Sequence, residues 1–143
     1  MVGRPLLQLR RRFRVHRPRR SRLLRILAIE DDRDTREMYG RMLKDEGHDA
    51  LLAADGLEGL QLLDPKPDLV ILDLALPGMD GYEVLRTMKA DPTTERIPVL
   101  VVSAKRFDAP GQRSDVFATL QKPFDLPLLP AMLALVGTDR PAS

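Results

Sequence analysis

Cysteine is absent from this 143-residue sequence, and so is any apolar run long enough to cross a bilayer. The first absence excludes a disulfide framework, and the second excludes a membrane-spanning anchor. The N-terminal mixture of Arg, Leu and Phe resembles a targeting peptide, but it lacks the roughly 7 to 15 residue apolar stretch of a secretory signal. We therefore expect a cytoplasmic protein with no membrane span.

Acidic residues are missing from the N-terminal end. The first 25 residues hold ten arginines and no acid, whereas the remainder holds 13 basic and 21 acidic residues, a formal charge of −8. Mutual repulsion and few apolar side chains predict that residues 1–24 form a basic, disordered arm. The arm could bind nucleic acid or anionic lipid electrostatically, or it could have no role. We favour no specific role and do not expect nucleic acid as a partner.

From residue 25 onward, short apolar runs alternate with segments of helical periodicity, which is typical of stacked βαβ units with a parallel sheet. The chain is long enough for one hydrophobic core, so we expect one α/β domain over residues 25–137 and a polar tail over 138–143. The five predicted strands cover residues 26–29, 50–53, 69–72, 99–102 and 117–120.

Capping residues and helix breakers predict the helices between these strands. Asp34 and Asp80 are the expected N-caps of the first and third helices. The fourth connection, residues 105–116, contains Pro110 and Gly111 and predicts only a short or irregular helix. The remaining predicted helices cover residues 35–46, 57–63, 81–89 and 125–136.

Polar side chains follow the predicted strands at their carboxyl ends, where functional residues of an open parallel sheet collect. Several carboxylates so close together need a cation, and an all-oxygen site suits Mg²⁺. A hydroxyl and an ammonium at the same edge favour a phosphoryl group, which a carboxylate would accept. Asp73 is central enough to be that acceptor. The side chains that converge are Glu30, Asp31, Asp73, Ser103 and Lys122.

Four segments appear in the order and approximate spacing of the receiver domains of bacterial response regulators, so the chain resembles that family from residue 25 to about residue 136. They read RILAIEDD, PDLVILDLALPGMDGYEVL, PVLVVSA and LQKPF. The resemblance implies a flavodoxin-like, CheY-like fold, with a doubly wound sheet of five parallel strands in the order 2-1-3-4-5. It also implies a switch in a two-component phosphorelay rather than an enzyme.

The same resemblance assigns roles to individual positions. Asp73 would be the phosphoacceptor, and Mg²⁺ would bind Glu30, Asp31, Asp73 and the backbone carbonyl of Ala75. Pro77 and Gly78 would shape the loop after Asp73. The phosphoryl group would be bound by Ser103, Ala104 and Lys122, with a cis peptide bond before Pro123.

Two features depart from the pattern or limit it. Thr119 occupies the position, three residues before Lys122, at which receivers usually carry an aromatic switch residue. Phe117 is farther from the site and is not expected to take that role. We also expect Asp32 to be a loop or helix-start residue rather than a ligand.

Partners follow from the family: a histidine kinase or histidine phosphotransfer protein as donor, and an unidentified downstream protein. Because no residues remain for an output domain, we expect signalling by contact. The last helix is apolar on more than one face, so part of it could form a homodimer surface.

Two rival classes remain for comparison. Phosphatases of the haloacid dehalogenase type need a second Asp two residues after the nucleophile, but Ala75 stands there. Since Ala75 also cannot position a water, we expect a long-lived phosphoryl state. The stronger rival is an interaction module that ignores phosphate, which the Thr119 departure supports.

Overall fold

The computed structural model describes residues 7–9, 23–104 and 116–136. All five predicted strands are present, each within one residue of its expected bounds, and one further strand precedes them. The strands are β1 (Leu7–Leu9), β2 (Arg25–Ile29), β3 (Asp49–Ala53), β4 (Leu69–Asp73), β5 (Val99–Ser103) and β6 (Ala118–Gln121), and the helices are α1 (Arg33–Asp45), α2 (Gly56–Gln61), α3 (Gly81–Ala90) and α4 (Leu128–Val136).

Strands β2 to β6 form a parallel sheet in the spatial order β3-β2-β4-β5-β6. Numbered by these five parallel strands alone, the order is 2-1-3-4-5, which confirms the predicted flavodoxin-like topology. The order reverses between β2 and β4, and loops that leave the two strands diverge there. The carboxyl ends of β2, β4 and β5 therefore border one crevice.

Strand β1 corrects the prediction of disorder for residues 7–9, within the predicted arm of residues 1–24. The backbone of Leu7–Leu9 pairs antiparallel with β6, with Leu7 opposite Leu120 and Leu9 opposite Ala118. The prediction relied on the density of arginine, but residues 5–9 carry no charge and precede the arginine run. Without this strand, β6 would present an unpaired edge, which readily accepts another strand.

Side chains of the parallel strands alternate between two apolar layers. On β2, Ile26 and Ala28 pack into one cluster with residues of α1 and α4, whereas Leu27 and Ile29 pack into another with residues of α2 and α3. Strand β4 is buried along its whole length. This continuous burial is what a strand covered by helices on both faces requires, and it leaves only the strand ends for polar residues.

Two helix starts differ from the prediction by two residues or more. The N-cap of α1 is Asp32 rather than Asp34, because the Asp32 carboxylate accepts hydrogen bonds from the backbone N–H and the hydroxyl of Thr35. Asp32 is thus a helix-start residue, as expected. The last helix begins at Leu128 rather than residue 125, although the Leu128 N–H does bond to the Asp125 carbonyl.

The N-cap of α3 is Asp80, which confirms that prediction; its carboxylate accepts from the Glu83 N–H. Helix α2 is Gly56–Gln61, one residue earlier at its start and two shorter at its end than predicted. Asp55 caps it by accepting from the Glu58 N–H.

Most of the apolar surface of α4 is used inside the protein. Four residues of this helix are buried in the core cluster: Leu129, Met132, Leu133 and Val136. Two partly buried residues of the same helix, Leu128 and Leu135, pack against that cluster. A homodimer through this helix stays a prediction. No helix among the described residues has the length and apolarity needed to cross a membrane.

Some predictions lie outside the described residues. These are the irregular fourth connection, apart from Val116 at its end, the polar tail, and most of the basic arm.

We predict that Gly81→Ala lowers the free energy of unfolding by about 1–3 kcal/mol, because overpacking is costly where the backbone has to move. A Cβ on Gly81 would lie 2.4 Å from the Leu74 Cα and 2.5 Å from the Asp73 carbonyl oxygen. Urea unfolding monitored by circular dichroism measures the change.

The matched control is Gly40→Ala in α1, where a Cβ meets only the end of the Leu52 side chain, at 2.9 Å. Alanine is the better helix former, so Gly40→Ala should be neutral or stabilising. Equal destabilisation by the two substitutions would contradict the prediction.

Candidate functional site

The register of the sheet brings the predicted polar residues to one edge. Ile29 of β2 pairs with Leu72 of β4, so the residues that follow them, Glu30 and Asp73, come next to each other. On the other side, Asp73 pairs with Val102, one residue before Ser103. Ser103 in turn pairs with Gln121, which precedes Lys122. Parallel pairing therefore assembles side chains that are up to 92 residues apart.

Lys122 joins the two buried carboxylates. Its Nζ donates to Glu30 Oε1 at 2.7 Å and to Asp73 Oδ2 at 3.0 Å. Glu30 is fully buried and Asp73 is 7% exposed, so one ammonium faces two carboxylates in a largely dehydrated position. Burial by itself lowers the pKa of Lys122, but its hydrogen bonds to Glu30 and Asp73 outweigh burial and raise the pKa above its ordinary value. Lys122 is therefore a permanent cation at this edge.

Asp31 completes a cluster of three acids. One carboxylate oxygen from each of Glu30, Asp31 and Asp73 lies within 4.8 Å of the others, and Asp31 is exposed to solvent. One ammonium cannot neutralise three carboxylates, and like charges at this spacing repel one another. Carboxylate oxygens are the ligands of hard divalent cations. The three acids could thus hold one metal ion.

The pKa of Glu30 is raised within this cluster. Burial and the neighbouring Asp73 carboxylate raise the pKa of Glu30 to about 7, and Lys122 offsets only part of this. Among the described residues, the buried Glu30 Oε2 has no hydrogen-bond partner. A buried carboxylate oxygen without a partner is costly, so this position favours a proton or a cation.

The loop after β4 orients the Asp73 carboxylate. The Ala75 N–H donates to Asp73 Oδ1 at 2.9 Å, while Oδ2 accepts from Lys122. Further along, Gly78 has a φ of +71°, a left-handed conformation that favours glycine, and Pro77 beside it is exposed. Gly78 therefore permits the turn of this loop, and the Gly81 N–H closes the loop by donating to the Leu74 carbonyl. The role of Pro77 stays a prediction.

The carboxyl ends of β5 and β6 lie on the other side of Asp73. Ser103 is buried at the end of β5, and its carbonyl accepts from the Lys122 N–H at 2.8 Å. Ala104 follows it and is exposed. The peptide bond between Lys122 and Pro123 is cis, as the resemblance predicts.

Thr119 and Phe117 lie where the sequence suggests. Thr119 is buried on β6, opposite Val101 of β5. Phe117 is 1% exposed and belongs to the core cluster that α4 covers. Phe117 is therefore a core residue. Thr119, three residues before Lys122, places a small hydroxyl-bearing side chain where receivers usually carry an aromatic one.

Sequence reasoning missed Arg36. Its Nη1 donates to the backbone carbonyls of Glu30 at 2.9 Å and Asp31 at 3.1 Å. The signal was its spacing: an arginine five residues after Asp31, on the helix that follows the acidic loop, has the length to reach back to that loop.

In the absence of divalent metal, we predict that the contribution of Glu30 to stability falls as pH rises through the window from about 4.5 to about 7, so that the wild type loses stability relative to Glu30→Gln across this window. The pKa of Glu30 is raised from 4.5 to about 7 on folding, so the folded state binds more protons than the unfolded state in this window. Glu30→Gln should remove this dependence and stabilise the metal-free protein at pH 7 by about 1–3 kcal/mol. Urea unfolding in a chelator at several pH values measures both effects. A stability that rises with pH equally in both proteins would contradict the assignment.

Comparison with known proteins gives the family. A family model described as "Response regulator receiver domain" matches residues 26–134. The response regulator MprA of Mycobacterium sp. (strain KMS) is 39% identical over 133 residues, covering 83% of this chain and 56% of the relative. The chain thus spans little more than half the length of the curated relatives it matches.

Two solved structures are similar over most of the chain. The N-terminal domain of a response regulator receiver protein from Methanoculleus marisnigri JR1 is 34% identical with a TM-score of 0.65, covering 71% of this chain and 86% of that one. The receiver domain of a sensor histidine kinase from Pseudomonas aeruginosa PAO1 is 25% identical with a TM-score of 0.69, covering 81% and 99%. The latter was crystallised with a magnesium ion coordinated in its active site cleft.

The family match covers more than half of the chain, and the sheet order and the acidic edge agree with it. This chain therefore belongs to the response regulator receiver domains, the signalling switches of two-component systems.

Proposed function

We propose that Asp73 accepts a phosphoryl group from a phosphohistidine on a histidine kinase or histidine phosphotransfer protein, with Mg²⁺, and that the chain then signals by contact with a downstream protein. One observation carries this proposal. Asp73 is buried at the end of the central strand, with Lys122 on one carboxylate oxygen and the Ala75 N–H on the other. A carboxylate held in this way is oriented before it reacts.

The residues of the acidic edge fit a magnesium ion. Three carboxylates lie close together, one of them is exposed to solvent, and a buried Glu30 oxygen has no partner in the described part of the chain. Asp31 and Asp73 would be ligands, with Glu30 beside them and the Ala75 carbonyl as a further oxygen. When bound, Mg²⁺ would neutralise charge that develops on the phosphoryl oxygens.

The chain's own residues support phosphoryl transfer at Asp73. A bond forms between an Asp73 oxygen and phosphorus, the bond from phosphorus to the donor imidazole breaks, and the electron pair returns to the imidazole. Lys122 would offer its ammonium to the transferred group in exchange for part of its bonding to Asp73. At the end of β5, the Ser103 hydroxyl and the Ala104 backbone N–H would donate hydrogen bonds to the remaining phosphoryl oxygens.

Two further features stay proposals alongside this function. The receiver domain would extend over residues 25–137, with a basic arm before it and a tail after it, and the protein would act in the cytoplasm.

An interaction module that ignores phosphate is the second candidate function. The specific observation in its favour is the buried Thr119, which stands where receivers usually carry an aromatic side chain.

We predict that the purified protein gains the mass of one phosphoryl group when it is incubated with a small phosphodonor, such as acetyl phosphate, and Mg²⁺. Asp73→Asn should abolish the gain because it removes the attacking carboxylate while keeping the shape of the side chain. Intact-mass spectrometry measures the product.

A chelator and Asp68→Asn serve as controls for this experiment. The chelator should prevent labelling. Asp68→Asn should not, because Asp68 precedes β4 at the end of the strand opposite Asp73, where its carboxylate accepts a hydrogen bond from the Arg25 N–H. A folded wild-type protein that takes no label from acetyl phosphate or from a phosphorylated histidine partner would favour the phosphate-independent module.

We predict that the phosphorylated state is long-lived and that Ala75→Asn shortens it at least several-fold. Ala75 is exposed beside Asp73 and has no polar side-chain atom to orient an attacking water, whereas asparagine supplies one. The decay of the labelled mass in Mg²⁺ buffer measures the lifetime. An unchanged decay in Ala75→Asn would exclude this explanation, and so would rapid loss from the wild type.

A further inference from the structure

Arg36 is tied to the acidic loop through the backbone rather than through a carboxylate. A single nitrogen, Nη1, donates to two consecutive carbonyl oxygens, those of Glu30 and Asp31, at 2.9 and 3.1 Å. Arg36 itself is fixed in α1, where its backbone N–H donates to the Asp32 carbonyl at 2.9 Å. The side chain therefore connects the start of the helix to the peptide groups that carry the two acids.

Holding these carbonyls fixes the directions of the acidic side chains. The orientation of a peptide plane sets the backbone dihedrals on either side of it, and these set where the next Cα–Cβ bond points. Glu30 has other restraints, since its N–H donates to the Ala53 carbonyl and its carboxylate accepts from Lys122. Asp31 is exposed, so its placement depends more on the backbone that Arg36 holds.

We propose that Arg36 is a positioning residue that tunes divalent-cation affinity by holding the backbone of Glu30 and Asp31. This inference rests on the proposed function, because it takes the acidic edge to be a cation site. Groups that orient metal ligands without touching the metal commonly change affinity by about 10- to 100-fold when removed.

The positive charge of Arg36, taken alone, predicts the opposite change in Mg²⁺ affinity. An affinity measurement can therefore test the proposal. A guanidinium close to a cation site repels the incoming cation, so its removal alone would tighten binding. If Arg36 acts by holding the loop, its removal weakens binding instead. The sign of the change therefore separates positioning from simple electrostatics.

Arg33 supplies a matched control on the same helix. Its Nε pairs with Glu37 Oε1 at 3.2 Å, and its side chain is 80% exposed. Arg33→Gln removes the same unit of charge from the first turn of α1, but neither carbonyl of the acidic pair loses a donor. An exposed pair of this kind contributes little to stability.

The experiment is a Mg²⁺ titration of the full chain by isothermal titration calorimetry, for wild type, Arg36→Gln, Arg36→Lys and Arg33→Gln. We expect Arg36→Gln to weaken Mg²⁺ binding about tenfold or more and Arg33→Gln to leave it nearly unchanged. Lysine ends one bond short of Nη1, so Arg36→Lys should weaken binding less than glutamine does. In the metal-free state, amide chemical shifts of residues 30–32 should move in Arg36→Gln and not in Arg33→Gln.

The outcomes are distinguishable. Wild-type or tighter affinity in a folded Arg36→Gln overturns the positioning role and leaves the proposed function intact. A wild-type protein that binds no Mg²⁺ overturns both. If Arg36→Gln does not fold, Arg36→Lys decides alone, and a wild-type affinity there overturns the proposal.

Discussion

The contact on which the rest of the site depends is the one between Lys122 and the carboxylates of Glu30 and Asp73. It joins the ends of three strands, β2, β4 and β6, across a parallel sheet. Without the ammonium, two buried acids would face each other with no compensating charge, and burial of an unpaired charge is expensive. Even with it, the pKa of Glu30 is raised to about 7. Lys122 therefore holds Glu30 and Asp73 close together without neutralising the whole acidic cluster, and the remaining negative charge attracts a cation.

The surroundings of these carboxylates restrict how they can move. The Ala75 N–H and Lys122 hold the two oxygens of Asp73, and the backbone beneath Asp73 is packed against Gly81, where even a methyl group would collide. Arg36 holds the neighbouring loop by its carbonyls. A carboxylate held at both oxygens loses little further freedom when it reacts, which agrees with the role proposed for Asp73.

Much of the fold could be predicted because buried parallel strands are continuous apolar runs. Residues 69–72 are such a run, and the observed strand extends it by one residue to Asp73. Asp80 could be predicted as an N-cap because it stands directly before a segment of helical periodicity. Errors arose where local signals compete. Asp32 and Asp34 both stand near the start of α1, and only hydrogen bonding to Thr35 selects Asp32. Likewise, the charge of the arginine run concealed the short uncharged strand at Leu7–Leu9.

The sequence alone determined the class of fold and the identity of the acidic and lysine positions, because strand periodicity and motif order are local properties of the chain. Tertiary structure decided which groups share charge: that Lys122 bridges Glu30 and Asp73, that one Glu30 oxygen has no partner among the described residues, and that Arg36 bonds to backbone rather than to acid. Lys122 is 92 residues from Glu30 and 49 from Asp73, so these contacts depend on register and burial, and no local pattern encodes them. The spacing of Arg36 brings it within reach of the acidic loop, but only the folded structure selects the carbonyls over the carboxylates.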